Sequence, residues 1–226
     1  MKVIVKNDKF TFCFEFVFFI AKSIHKTIAF VINFFLIFSL AGCISLNTKN
    51  RFLPHEDWLA LPVDHKPVNE IRVQLEQFSK TTLKDRGEAH ITVLTPPEFA
   101  KLKSKLSMSE INKLATELNL TESRWTPICI AEARLQSDPK LVTYYIVVRS
   151  QELLTIRQNI MKEFLARGGE SSQFDPNHFY PHITIGYTER DLHEQDGVIK
   201  NTQNCIYELT SFDGKPLKKM KLINQD

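Results

Sequence analysis

The sequence contains one four-residue pattern twice: a histidine, an apolar residue, a threonine and a second apolar residue. The first copy occupies residues 90–93 and the second residues 182–185, so the two histidines are 92 residues apart. Both copies are rich in β-branched residues, which favours strands. Because alternate residues of a strand share a face, each histidine lies beside its threonine while the apolar pair faces the core. Two such strands across a cleft would present two titratable rings and two hydroxyl groups.

These tetrads, the second within Tyr-Pro-His-Ile-Thr-Ile-Gly, resemble the signature of the two-histidine (2H) phosphoesterases. That superfamily includes the bacterial RNA 2′,3′-cyclic phosphodiesterases, once named 2′-5′ RNA ligases. The resemblance covers roughly residue 68 to the C-terminus. It implies a bilobal, duplicated α+β fold with both motifs on central strands that line a cleft. It also implies that His90 and His182 are catalytic and that Thr92 and Thr184 bind substrate.

Apolar spacing and capping signals predict the other elements of a domain over residues 68–226. Strands outnumber paired β-α-β crossovers, so we expect an α+β domain with largely antiparallel sheets and helices outside them. Predicted helices cover 68–78, 107–118 and 151–167, with further capped helix starts at 95–98 and 188–191. Predicted strands cover 88–94, 125–135, 141–148, the second motif, 204–212 and 218–223.

Residues 1–42 differ in character from the rest of the chain. Basic residues precede an apolar run over 27–40 that ends in small residues, as is typical of a secretory signal. The run is short for a membrane span. Leu-Ala-Gly-Cys at 40–43 resembles a bacterial lipobox, which implies cleavage before Cys43 and attachment of lipid (palmitate) to its thiol. An uncleaved membrane anchor is the alternative.

The lipobox resemblance implies a location in the bacterial cell envelope. Ile44, the residue after the lipid site, would favour the outer membrane, with the protein facing the periplasm. Residues 43–67 are predicted to be a lipidated tether of little periodicity, with Trp58 docking on the domain. Histidines in such a segment are most often solvated, so His55 and His65 receive no role.

Charge argues against a long nucleic acid as the partner. The chain has a formal net charge of +3, but residues 1–42 contain five lysines and two acidic residues, so the remainder is formally neutral. Domains that bind polynucleotides normally carry a basic stripe. We therefore expect a monomer that acts on a small nucleotide or an RNA-end cyclic phosphate.

Two cysteines remain once Cys13 in the leader and Cys43 are set aside. Cys129 and Cys205 each lie in an apolar, strand-like context. An oxidising periplasm would allow a disulfide between them. Cysteine connectivity cannot be read from sequence, and two separate buried thiols are the favoured interpretation.

The histidine pair predicts acid–base chemistry without a metal or cofactor. Histidine titrates near pH 6.5, so one ring can take a proton from water while the other gives one to the departing ribose oxygen. The two threonine hydroxyls would hold the phosphate oxygens. Tyr180 shares the His182 face by strand parity and is a candidate substrate-binding residue, with ordinary packing as its alternative. Sequence alone does not say which histidine is the base.

Two other functions stay open. A catalytically silent ligand-binding or envelope-structural lipoprotein could use the same fold, because fold does not fix function. A metallohydrolase would need a third ligand, which is missing at motif spacing.

Overall fold

The computed structural model describes residues 4–6, 9–11, 55–209 and 212. The chain divides into two compact units, residues 1–49 and 50–226. In the first unit, strands β1 (Ile4–Lys6) and β2 (Lys9–Thr11) pair antiparallel. The rest of the predicted leader, the proposed lipid site Cys43 and the strand predicted at 218–223 lie outside the described residues.

The second unit combines helices with antiparallel sheets, which confirms the predicted α+β class. Its helices are α1 (His65–Ser79), α2 (Pro96–Leu102), α3 (Met108–Glu117) and α4 (Gln151–Ala166). Its strands are β3 (Leu59–Val63), β4 (Ala89–Leu94), β5 (Thr126–Leu135), β6 (Asp138–Arg149), β7 (His182–Tyr187) and β8 (Cys205–Glu208). Single 3-10 turns occur at Leu120–Glu122, Ser171–Gln173, Glu194–Asp196 and Thr202–Asn204. None of the helices in the described ranges is both long and apolar enough to cross a membrane.

The strands of the second unit form two sheets, and each of these sheets contributes one histidine motif. Strands β3 and β4 make a two-stranded sheet, and the other has the order β7-β6-β5-β8. Strand β4 lies beside β7, so the two motifs are neighbours although they belong to different sheets. Tertiary packing thus brings together two segments that are far apart in the chain.

A backbone bridge ties the turn before the first motif to the end of the second. The Lys84 N–H donates to the Tyr187 carbonyl at 2.8 Å, and the Tyr187 N–H donates to the Lys84 carbonyl at 2.9 Å. Gly186 allows this approach, because a Cβ there would lie 3.0 Å from the Lys84 carbonyl oxygen. The group that approaches Gly186 is thus the protein backbone.

One apolar core lies behind both motifs. Helix α1 contributes three fully buried positions to it and α4 contributes four at helical spacing. Full burial of an aliphatic side chain is worth about 1.5–3 kcal/mol relative to exposure. A one-residue slip of either motif strand would bury its histidine and expose its two apolar residues, so this core determines the direction in which each imidazole points.

Local capping signals are confirmed where they start α2 and α3. Thr95 with Glu98, and Ser107 with Glu110, form reciprocal capping boxes. The helix start predicted at 188–191 is wrong. The Thr188 hydroxyl donates to the Lys140 carbonyl at 2.8 Å and accepts from the Val142 N–H at 3.0 Å. Pairing with the neighbouring strand therefore replaces the cap.

The segment predicted as an irregular tether is folded over its last part. Leu59, Ala60 and Leu61 are buried in β3, which pairs with β4 so that Pro62 is opposite His90. Asp64 then caps α1 by accepting from the Lys66 N–H at 3.0 Å. The sequence did not predict this strand, because Leu59, Ala60 and Leu61 are too few to show a period and the partner strand β4 lies far along the chain.

The prediction of two separate thiols is wrong, because Cys129 and Cys205 form a disulfide. Cys129 is on β5 and Cys205 is on the adjacent β8, with their Cα atoms 5.8 Å apart. That separation is usual for a disulfide. The two cysteines are 76 residues apart in the chain. Their pairing depends on which strands become neighbours in the fold, and the residues around each cysteine do not show that.

Candidate active site

Burial alternates along both motif strands as predicted. The apolar motif residues are 0–1% exposed: Ile91, Val93, Ile183 and Ile185. The four predicted site residues are half-buried on the opposite faces: His90, Thr92, His182 and Thr184. Each imidazole therefore lies beside its hydroxyl over a rigid apolar backing.

A small cavity lies between the two motifs. His90 from the first motif and Thr184 from the second both line it, together with Asp85, Arg86, Glu88, Ala89 and Ile185. His182 is near enough that the charge on His90 lowers its pKa further. The structure thus brings one predicted residue of each motif to the cavity, and the other two, Thr92 and His182, are not among its lining residues.

His182 is held as a neutral ring with a defined tautomer. Its Nδ1 is 2.8 Å from the Tyr180 carbonyl oxygen, which can only accept, so Nδ1 carries the proton and Nε2 has the lone pair. Burial, followed by the charge of Lys200, lowers the pKa of His182 to about 3. The edge of the ring faces the Tyr145 ring, with centroids 5.7 Å apart.

His90 has different surroundings. Its side chain is 19% exposed, and its ring centroid lies 4.8 Å from that of Trp58, which in turn stacks on His55 at 3.8 Å. Burial lowers the pKa of His90, and the Glu88 carboxylate opposes this shift from 3.6 Å. His90 is thus within 4 Å of a carboxylate, whereas Asp191 raises the pKa of His182 less than burial and Lys200 lower it. The expected docking of Trp58 on the domain is confirmed.

The two threonines differ in the state of their hydroxyls. Thr184 Oγ1 donates to Asp191 Oδ2 at 3.2 Å. Thr92, opposite Ala60 in the sheet, makes no side-chain hydrogen bond to any residue that the structure describes. Of the two threonine hydroxyls, that of Thr184 thus already has an acceptor.

A buried ion cluster, which sequence reasoning missed, adjoins the second motif. Lys200 is 4% exposed and donates to Asp191 Oδ1 at 2.7 Å, and Arg86 Nη2 lies 3.4 Å from Asp191 Oδ2. Burial raises the pKa of Asp191, but the charge and hydrogen bond of Lys200, together with the charges of His193 and His182, outweigh burial, and the net shift of the pKa is downward. Burial lowers the pKa of Lys200 against the attraction of Asp191.

No sequence signal identified this cluster. Asp191 occupied an apparent helix start, and Lys200 lies in a polar loop between Val198 and the 3-10 turn at Thr202–Asn204. In the described ranges, no three His, Cys, Asp or Glu side chains are grouped so as to hold a metal ion.

Tyr180 acts in this structure through its backbone. It precedes β7, its carbonyl accepts the His182 proton, and its ring meets the edge of His178 with centroids 5.0 Å apart. The Tyr180 ring is not among the residues that line the cavity. Two other polar residues near the strand ends are paired with carboxylates, His178 with Glu194 and Arg190 with Asp196.

Arg157, on the apolar side of α4, was also missed. It is 1% exposed, and its guanidinium lies 4.8 Å from the ring centroids of both Phe174 and Phe179. It donates to Glu98 at 2.7 Å and to the Val93 carbonyl at the end of β4 at 2.8 Å. Three more carbonyls of the segment before β7 accept from it at 2.9–3.0 Å: those of Asp175, Pro176 and His178. One side chain therefore joins both motif strands to α4.

Comparison with known proteins identifies a family. A family model described as 2H-SAK (Swiss Army Knife, 2H phosphoesterase domain) matches residues 57–193. The match contains both histidine motifs, together with β3, Arg86, Arg157 and Asp191. Neither a search of curated proteins nor a search of solved structures finds a significant match.

Proposed function

Because the chain belongs to the 2H phosphoesterase superfamily, whose members generally hydrolyse phosphodiester bonds, we propose that it is a cyclic phosphodiesterase. Its substrates are nucleoside 2′,3′-cyclic phosphates or similar small cyclic phosphodiesters, including RNA ends, and the reaction needs no metal or cofactor. The observation that carries the proposal is the cavity shared by His90 and Thr184, one from each motif.

His182 is the general base in this proposal. Its ring is neutral and its Nε2 lone pair is not used by the Tyr180 contact, so it can take a proton from an attacking water. A pKa of about 3 makes His182 a weak base before substrate binds. An anionic phosphate near Lys200 would raise that pKa and strengthen the base when substrate is bound.

His90 is the general acid. The Glu88 carboxylate near its Nδ1 favours the protonated ring. In the reaction the water oxygen bonds to phosphorus as the bond between phosphorus and one ribose oxygen breaks. His182 accepts the water proton and His90 donates a proton to the departing oxygen, which leaves a nucleoside monophosphate. The Thr92 hydroxyl donates to a non-bridging oxygen, where charge increases.

The purified full-length protein tests this proposal with the four nucleoside 2′,3′-cyclic phosphates in EDTA, followed by ³¹P NMR. We expect conversion of the cyclic phosphate to a single monophosphate at an undiminished rate in EDTA. Activity that disappears in EDTA and returns with zinc would support a metallohydrolase. Ligand binding without turnover of any cyclic phosphodiester would support the silent-lipoprotein alternative.

The pH dependence of kcat/KM follows from the two lowered pKa values. The active form needs neutral His182, which faces Lys200 and Asp191, and protonated His90, which faces Glu88, Arg86, His55 and Asp191. The acid limb should lie near pH 3 and the alkaline limb below pH 6.5, where His90 loses its proton. Above that limb, kcat/KM should fall about tenfold per pH unit.

A pH–rate profile in EDTA checks this expectation, with Glu88→Gln as the comparison. Removing the carboxylate that raises the pKa of His90 should move the alkaline limb to lower pH. A maximum of kcat/KM on the alkaline side of neutrality, or an alkaline limb that does not respond to Glu88→Gln, would contradict the assignment of His90 as the acid.

We also propose that the protein is a lipoprotein anchored through Cys43 in the outer membrane and facing the periplasm. The lipobox at 40–43 motivates this, and the Cys129–Cys205 disulfide supports an oxidising compartment. Labelled palmitate should enter the wild-type protein and be lost in Cys43→Ser, while Cys13→Ser serves as the matched control. Equal labelling of wild type and Cys43→Ser would contradict the anchor.

A further inference from the structure

We propose that Arg86 is a third substrate-binding side chain, which binds a non-bridging oxygen of a phosphate group from the wall of the cavity between the two motifs. The identity of the substrate that carries this phosphate group rests on the proposed function. The binding site itself requires only that a phosphate-type oxyanion enters this cavity.

The backbone around Arg86 is held between the two motif strands. Its turn ends at Gly87, which has a φ of +69°, and the Gly87 N–H donates to Asp85 Oδ1 at 3.0 Å. Lys84, two residues before Arg86, makes the double hydrogen bond with Tyr187 at the end of β7. Strand β4 begins three residues after Arg86, at Ala89. The turn is thus anchored to both motifs, and Arg86 lines the cavity with His90 and Thr184.

Arg86 has hydrogen-bonding capacity that neighbouring cations lack. Its side chain is 42% exposed, and its Nη2 lies 3.4 Å from Asp191 Oδ2, which is a long distance for a hydrogen bond in an ion pair. A guanidinium has five N–H donors. Three nearby basic residues are held at shorter distances: Lys84 by Glu189 at 2.7 Å, Arg190 by Asp196 at 2.7 Å, and Arg72 by Glu76 at 2.8 Å. Arg86 can therefore turn several donors towards a ligand without breaking a strong ion pair.

Charges of both signs surround the cavity. Arg86 and Lys200 face one buried carboxylate, Asp191, so this cluster carries an excess positive charge beside Thr184. Two further carboxylates line the cavity, and each has a partner: Asp85 lies 3.0 Å from Arg72, and Glu88 lies 3.6 Å from His90. Lys200 is buried and directed at Asp191, whereas Arg86 is partly exposed at the cavity. A cyclic phosphodiester carries one negative charge, and the guanidinium fork can bind two of its oxygens.

Arg86 also supplies hydrogen-bond donors for a phosphate, which the Thr184 hydroxyl does not. A hydroxyl has one proton, and that of Thr184 is donated to Asp191 Oδ2. The same oxygen is the atom that Arg86 approaches. Thr184 therefore orients Asp191 and Asp191 orients Arg86, so that Thr184 acts on the phosphate through the arginine.

Arg86→Gln tests the site, with Arg190→Gln as a matched control. Both variants remove one positive charge near Asp191. The Arg190 guanidinium, however, is paired with Asp196 at 2.7 Å and is therefore not expected to bind a phosphate. Binding of inorganic phosphate, measured by calorimetry, needs no turnover. Its Kd should rise about 10- to 100-fold in Arg86→Gln, the worth of a charge-assisted hydrogen bond, and change little in the control. Arg86→Lys should retain part of the affinity, because it keeps the charge without the fork.

Turnover gives a second, separate measurement. If cyclic phosphodiesters are opened, Arg86→Gln should lower kcat by about 10²–10³, the usual effect of losing one oxyanion donor. Added guanidinium should restore part of the activity of Arg86→Ala. If the wild type opens no cyclic phosphodiester but binds phosphate through Arg86, the proposed function fails and the site stands. Three results overturn the site: no phosphate binding by the wild type, unchanged binding in Arg86→Gln, or equal loss in both charge-matched variants.

Discussion

Replacing His182 by asparagine is expected to lower turnover of 2′,3′-cyclic nucleotides by about two to four decades, the usual worth of a positioned general base. Asparagine can still donate to the Tyr180 carbonyl, which His182 contacts at 2.8 Å. The backbone contact is then kept while the basic nitrogen is lost. His90→Asn should reduce turnover by a similar factor, because a charged acid is replaced by a group that cannot transfer a proton.

The double variant makes this prediction specific to a catalytic pair. Residues that act as a unit are not additive, so His90→Asn with His182→Asn should lose much less than the product of the single losses. His178→Asn is the control, since His178 lies near the same strand but is paired with Glu194. Wild-type turnover in His182→Asn, or strictly multiplicative losses, would contradict the acid–base mechanism.

Replacing Arg157 by methionine is expected to destabilise the protein by about 3–5 kcal/mol, the range for removing one partner of a buried ion pair. The arginine is 1% exposed and is bonded to Glu98 and to four backbone carbonyls, including that of Val93. Methionine can fill the space between Phe174 and Phe179, but it leaves those acceptors without their donor. Urea unfolding at equilibrium measures the change in the free energy of unfolding.

Arg167→Met provides the comparison for Arg157→Met. Arg167 follows the same helix and pairs with Glu110, but it is exposed, so its loss should change stability by only about 0–1 kcal/mol. Adding Glu98→Gln to Arg157→Met should recover part of the loss by neutralising the unpaired carboxylate. Equal effects of Arg157→Met and Arg167→Met would show that the carbonyl contacts of Arg157 do not stabilise the fold.

Removing Arg157 should also lower turnover in the folded fraction. The arginine holds the end of β4 to the segment that leads into β7, the two strands that carry His90 and His182. A loosened segment would let the two imidazoles move relative to one phosphate, and acid–base catalysis depends on hydrogen-bond reach.

The elements of the fold that the sequence determined are those whose signals are local. The alternation in each motif predicted the strand and its buried face, and the capping boxes at Thr95 and Ser107 predicted two helix starts. The stripe of α4 predicted a helix within one residue of its observed end. Such patterns are decided by contacts within a few residues of the chain, so a single sequence contains them.

Tertiary structure decided which groups meet at the site. Asp191 accepts hydrogen bonds from Thr184 and Lys200. Arg157 donates to a carbonyl at the end of β4, and β3 pairs with β4, the strand of His90. In the sequence, Asp191 and Lys200 have the same local context as solvated charges, whereas the position of Arg157 on the apolar side of α4 was a signal that was overlooked. Their roles come from burial and from contacts between distant segments: Arg157 reaches Val93 across 64 residues, Arg86 reaches Asp191 across 105, and the disulfide joins cysteines 76 residues apart. A charge is buried only where distant segments supply its partners, and those partners exist only once the chain has folded.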